Sequence, residues 1–238
     1  TSFTDMQRSR ATWEGNWRVN TAFAADLKAT LSWQDAHSRE YITEDRNTAA
    51  DRVRDVTYDE RTWQANLQGS KVLRNGGPWV QKITYGLDYT AAKVENLQTG
   101  VTPPTGETFP LKRFPDTTET STALYVQDEF VSGPWSITPG VRFDTFRIKA
   151  DQAGFGAQAV SLSGNATSPK FGVLYRASDQ WSVFGNYAAG FRAPNAGQVN
   201  AFFENPVGNY RTVPNANLKP EKSQNFELGV RGRMERLS

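Results

Sequence analysis

Along most of this chain apolar and polar side chains alternate with period two, and helical periodicity is hard to find. In the stretch starting at Trp79, one face takes Trp79, Ile83, Tyr85, Leu87 and Tyr89, while the other takes Lys82, Thr84, Asp88 and Thr90. Just before it, Trp63, Ala65 and Leu67 stand opposite Thr62, Gln64, Asn66 and Gln68. Phe23, Ala25, Leu27, Ala29, Leu31 and Trp33 likewise face away from Asp26, Lys28, Thr30, Ser32 and Gln34. The pattern returns around Val141 and Phe143, around Phe171 and Val173, and at Phe226, Leu228 and Val230. It predicts strands at roughly 10–19, 22–36, 53–69, 78–92, 119–131, 135–149, 167–177, 181–191 and 223–236, about nine in all. Several exceed the 5–6 residues common in globular strands and match the ~9–11 that cross a bilayer.

The connections are expected to alternate between short and long. Short ones fall at Asn20-Thr21, Asn75-Gly76-Gly77, Ser132-Gly133-Pro134 and Ser178-Asp179-Gln180, all with hairpin chemistry. Long ones span roughly 37–52, 93–118, 150–166 and 192–222, beyond what compact domains use. A soluble β-sandwich has no reason to gather its long loops at one end, whereas an outer-membrane barrel does. Trp17, Trp79, Trp135 and Trp181 each lie within a few residues of a short turn, as an aromatic girdle at one headgroup level requires. The polar faces carry many charged residues, which suit a hydrated lumen better than a dry sandwich core. The expected fold is therefore an antiparallel, up-and-down transmembrane β-barrel.

Composition removes other classes. The net charge is +2 and charged residues make up 22% of 238, so no footprint for nucleic acid is present. With no cysteine, disulfides, thiolate metal sites and cysteine nucleophiles are excluded. Mean hydropathy is −0.62, which barrel strands tolerate because they are apolar on one side only. The first residues, Thr1-Ser2-Phe3-Thr4-Asp5, show no leader pattern, so any signal peptide is expected to lie outside this chain.

The most distinctive segment joins the last two predicted strands. It leaves a strand at Phe191-Arg192-Ala193-Pro194, makes an excursion rich in Asn, Pro and aromatics, and returns through Asn217-Leu218-Lys219-Pro220-Glu221. Together with Asn225-Phe226-Glu227-Leu228-Gly229 and the pair Tyr125–Phe130 and Pro139–Asp144, this resembles the barrel of TonB-dependent outer-membrane receptors, especially those for heme and hemoproteins. The resemblance implies that residues 1–238 are part of a barrel of about 22 strands around a plug domain that this chain lacks. It implies a Gram-negative outer-membrane receptor in contact with lipid, taking up heme or host hemoprotein iron with energy delivered by TonB through the plug. Heme is then transported cargo and no cofactor is held permanently. A ferric siderophore or cobalamin is the alternative cargo. Beside the family reading stands a plainer one, in which Pro194 and Pro214 simply end strand pairing where the chain leaves the sheet.

Candidate contacts follow. Phe202, Phe203, Asn209, Tyr210 and Arg211 combine flat apolar area with polar tips, which suits a macrocycle or a protein surface. They would equally suit a loop that packs its aromatics on its neighbours. Heme receptors of this family commonly carry an axial His between the two boxes; here that interval has neither His nor Met, and Tyr210 is the remaining oxygen donor in principle. His37, the single histidine, is expected at the outer end of a strand, as a solvated rim residue or a ligand contact. With Asp35 and Ser38 it is also the one place for a remote alternative, a barrel-rim hydrolase. Asp26, Lys28, Lys82, Asp88, Glu129, Arg142, Asp144, Glu227 and Arg231 are expected to face the lumen. No metal cluster is expected, and the reading is of a receptor and not an enzyme.

Overall fold

The computed structural model describes residues 1–233, and nine of the eleven strands among them form one antiparallel layer. β1 (Ser2–Arg18), β2 (Asp26–Glu44), β3 (Arg52–Arg74), β4 (Val80–Val101), β5 (Thr117–Ser132), β6 (Trp135–Ala150), β7 (Leu162–Arg176) and β8 (Trp181–Arg192) each pair with the next in sequence. A short helix, α1 (Ala196–Asn200), and a hairpin of β9 (Phe203–Asn205) and β10 (Tyr210–Thr212) follow, before β11 (Glu221–Gly232) pairs with β8. The expected last strand extends to residue 236, and its final three positions lie outside the described residues. Nine strands in a single continuous sheet are not the two facing layers of a sandwich. β1 and β11 are left as edges, so this is one portion of the wall of a larger barrel.

The two faces invert the usual order of a soluble protein. Side chains buried on the sheet include Ser32, Thr62, Asn96, Gln98, Ser136 and Asp144, all on the polar face. The opposite face exposes Leu31, Trp63, Leu87, Leu124, Val126, Val141, Phe143 and Phe171 as one apolar surface. An exposed apolar surface of that extent needs an apolar solvent, which hydrocarbon provides. Trp17, Trp79, Trp135 and Trp181 are 44, 40, 43 and 45% exposed, all at the short-connection end, as a girdle of half-immersed indoles should be. Three of the short turns use left-handed backbone, at Asn20 (φ 47°), Gly76 (φ 73°) and Gly133 (φ 51°), residue types that adopt it at low cost.

Residues of the polar face meet across strands. Arg142 on β6 reaches over β5 to Asp88 on β4 and also holds Asp144 at 2.9 Å. Tyr125 donates to Gln68 two strands away at 3.1 Å, and Lys28 pairs with Glu14 at 3.0 Å. Such part-exposed pairs contribute at most about 1 kcal/mol each. They mark the polar side more than they hold it. Pro139, within β6, has no N–H to give, and the ladder to β5 is interrupted there, between Gly140 and Ile137.

Strand ends at the long-connection side differ from expectation. β2 and β3 run on to Glu44 and from Arg52, so the expected loop 37–52 shrinks to residues 45–51. The first short turn widens to residues 19–25, because Thr21 and Ala24 close a turn and β2 begins only at Asp26. Strict alternation of short and long connections therefore fails for this first pair. It holds for the other connections, where 75–79, 133–134 and 177–180 contrast with 102–116, 151–161 and 193–220. The physical reason lies in the solvent. Where both faces of a strand meet polar surroundings no apolar side remains, so the period-two signal disappears although pairing continues, here through Arg39–Asp55 (2.6 Å) and Arg54–Glu44 (3.1 Å).

Candidate ligand-binding site

The long connections gather at one end and fold against the polar face of the wall. Beneath them Val94, Ala123, Phe146, Ile148 and Ala166 make the apolar cluster of the inner face, and Phe155, Ala196 and Val199 close over it from the loops. Asn195 opens α1 with a capping box, its side chain accepting from Gln198 N at 2.9 Å and Gln198 Oε1 accepting from Asn195 N at 3.1 Å. Ala196 N donates to Glu119 Oε1 on β5 at 2.5 Å, pinning the helix to the wall. Asn200, with no exposed surface, accepts from Val160 N at 2.7 Å and donates to Val160 O at 2.8 Å. It acts as a strand-like partner for the neighbouring loop.

The connection 102–116 locks into the same cluster. Asn96 on β4 accepts from Arg113 N at 2.8 Å and donates to Phe114 O at 2.6 Å. Phe202 N in turn donates to Arg113 O at 2.9 Å, joining the excursion to this loop. The Arg113 guanidinium is held in a two-bond fork by Glu107, at 2.6 and 3.1 Å, and lies 5.2 Å from the Phe203 ring centre. Phe203 packs on Tyr210 across the β9–β10 hairpin, with ring centres 5.8 Å apart and planes tilted by 42°. The result is a layered stack of Glu107, Arg113, Phe203 and Tyr210. Its outer member is 57% exposed and sits beside exposed Arg211 and Val207.

The structure thus divides the expected contact residues. Phe202 is turned inward, packing edge-on to Phe155 at 6.1 Å. Phe203 is the middle of the stack, while Tyr210 and Arg211 face out. Asn209 sits at the hairpin tip with φ 52°, a conformation its short side chain tolerates, so its place there is explained by the turn. The two boxes are direct neighbours in the ladder: Arg192 pairs with Glu221 and Phe191 with Lys222, and the Arg192–Glu221 side chains lie 3.7 Å apart. Pro194 is buried at the exit, Asn217 N bonds to Asn215 Oδ1, and Lys219 is exposed while Ala193, Leu218 and Pro220 are half-buried. These contacts suit boxes that punctuate the excursion.

His37 is not brought to this cluster. It lies within β2, seven residues before the strand ends, on the outward face, and bonds Asp59 of β3 at 2.6 Å. Asp35 is taken by Arg61 at 2.8 Å, and alternation turns Ser38 to the opposite face, so these three do not assemble as a hydrolase would need. Sequence reading missed Arg113, Glu107 and Asn200. Only α1 had a readable signal, the Asn195-x-x-Gln198 capping pattern.

Known proteins match this chain. The family described as "TonB dependent receptor-like, beta-barrel" matches residues 1–238. A hemin receptor of Yersinia enterocolitica is 31% identical over 156 residues, 62% of this chain, and the chain spans 20% of that protein's length. Among solved structures, a double mutant of the Serratia marcescens hemophore receptor HasR, in complex with its hemophore HasA and heme, superposes with a TM-score of 0.74 at 16% identity, over 97% of this chain and 37% of that one. The unliganded ferric citrate transporter FecA gives 0.68 at 19% identity, over 96% and 32%. At such identities the two structures bear on the fold alone.

Proposed function

The chain belongs to the TonB-dependent receptor-like β-barrel family, and from that premise we propose that it forms part of the wall and outer mouth of an outer-membrane receptor importing heme iron. The apolar outward face and the polar inward face support a place in the membrane. The observation that carries the binding reading is the layered stack Glu107–Arg113–Phe203–Tyr210 at the end of the long connections. It presents a pre-ordered aromatic surface whose rotamers are held from behind, the arrangement that lowers the entropic cost of capturing a flat ligand.

Heme as cargo is supported by the hemin receptor of Yersinia enterocolitica. The excursion offers no histidine to the iron, so we assign its role to planar contact through Phe203 and Tyr210, with Arg211 available to a propionate. Uptake itself would need the plug and the energy-coupling partner. The test is absorbance of the whole receptor, with the sequence that flanks this chain, titrated with hemin. A Soret shift with saturable binding is expected. No shift, together with no growth on hemin as iron source, would overturn the heme reading in favour of a siderophore-type cargo.

A further inference from the structure

The outward face has a built feature at its short-connection end, around the turn at residues 19–25. Lys71 on β3, opposite Ile83 and so on the apolar side, donates from Nζ to Thr21 O at 2.9 Å and to Ala22 O at 2.6 Å. Tyr85 on β4 donates to Phe23 O at 3.1 Å. Its ring reaches the turn by lying across Gly69 of β3, where a Cβ would stand 2.8 Å from the ring. Beside that ring opens an apolar groove of about 490 Å³. Its lower register row is Leu27, Gly69, Tyr85 and Val126, and its upper row Leu67, Leu87 and Leu124. Leu27 is the second residue of β2, whereas Val126 is six residues short of Ser132, the end of β5. The groove therefore climbs from the level of the tryptophan girdle into the apolar belt. Lys71 stands where it begins, one row below Gly69. Among the described residues Lys71 has no carboxylate within 4.0 Å. Asp128 shares its row but lies two strands away, roughly 10 Å.

We propose that this corner holds one anionic phospholipid of the periplasmic leaflet, with its phosphate on Lys71 and an acyl chain laid along the groove. The proposal rests on the membrane placement proposed above, which puts the short connections at the periplasmic surface. An ammonium has three N–H groups; two go to the turn carbonyls and the third is free for a phosphate oxygen. Those carbonyls are neutral, so the charge at the edge of the apolar belt still lacks a counter-ion, and a lipid phosphate supplies it. The turn offers no carboxylate, which an ethanolamine group would need, so an anionic headgroup fits better than a zwitterionic one. Because the bonds from Lys71 and Tyr85 are already formed, the ammonium and the mouth of the groove are pre-ordered and lose little freedom on binding.

The test places the whole receptor in nanodiscs of equal phosphatidylglycerol and phosphatidylethanolamine, extracts it in mild detergent and identifies the retained lipids by native mass spectrometry. One phosphatidylglycerol per receptor is expected to persist, enriched about fivefold over phosphatidylethanolamine, the ratio that one Lys beside an anionic headgroup confers. Lys71→Gln keeps a donor for the turn carbonyls but removes the charge, and should abolish the enrichment; Lys71→Arg should keep it. Val126→Trp fills the groove with another apolar group, leaves Lys71 untouched, and should also release the lipid. Lys149→Gln, at the opposite end of the wall, should change nothing. Equal retention of the two lipids, or enrichment surviving in either Lys71→Gln or Val126→Trp, would overturn the site. A receptor that does not enter discs at all would overturn the membrane placement, and the site with it.

Discussion

Replacing Asn200 by Ala tests whether the loops form one interlocked unit or several independent ones. Asn200 has no exposed surface and makes both of its hydrogen bonds to the backbone of Val160, forty residues earlier. Truncation removes the partner of one N–H and one C=O, each costing about 1–3 kcal/mol if left unpaired. Because Val160 is only half-buried and water can reach it in part, the lower end applies, about 1–1.5 kcal/mol per group. The sum is about 2–3 kcal/mol, or a factor of roughly 30–150 in the local opening equilibrium. The sheet should not notice, since its strands are held by their own ladders. Hydrogen exchange read by mass spectrometry on the whole receptor should show lost protection in peptides spanning 155–162 and 195–202, with β5 to β7 unchanged. Unchanged protection in both peptides would refute the interlocking argument. Uniform loss across the sheet would refute its local character.

Other outcomes follow from the same structure. Phe143→Arg, on the outward apolar face, should cost about 2–4 kcal/mol in folding into lipid vesicles, while Ser121→Arg on the polar face should be nearly silent. Gly100 has φ 142° and a Cβ there would stand 1.9 Å from the Val53 carbonyl oxygen, so Gly100→Ala should open the top of the β3–β4 pair at a cost of at least about 3 kcal/mol, visible as a lower urea midpoint. Arg113→Lys keeps the charge but loses the fork to Glu107 and the planar contact with Phe203, and hemin titration should show affinity falling about tenfold. Tyr210→Phe keeps the stack, so hemin binding should persist with an unchanged Soret position; a moved band would assign the phenol to iron.

How far the residues could be read depended on the solvent each strand crosses. From Leu27 to Trp33 and from Trp79 to Tyr89 one side is apolar and the other polar, so composition records the strand directly. From His37 to Glu44 the apolar face gives out, and a paired strand reads like a loop. The boxes were legible as boundaries, yet their adjacency, Arg192 against Glu221, was not. Of the expected contact residues, nothing local distinguished inward Phe202 from outward Tyr210. That depended on Arg113 O and Phe155, contributed by two other loops.

By itself the sequence determined that this chain is β, antiparallel and two-faced, and which residues take each face, because a pleated strand turns successive side chains to opposite sides whatever else the molecule does. Tertiary structure alone decided how far the strands continue beyond the apolar belt and which way the excursion folds. Those outcomes depend on partners tens of residues away, brought alongside by cross-strand register, and no local pattern encodes the register that pairs them.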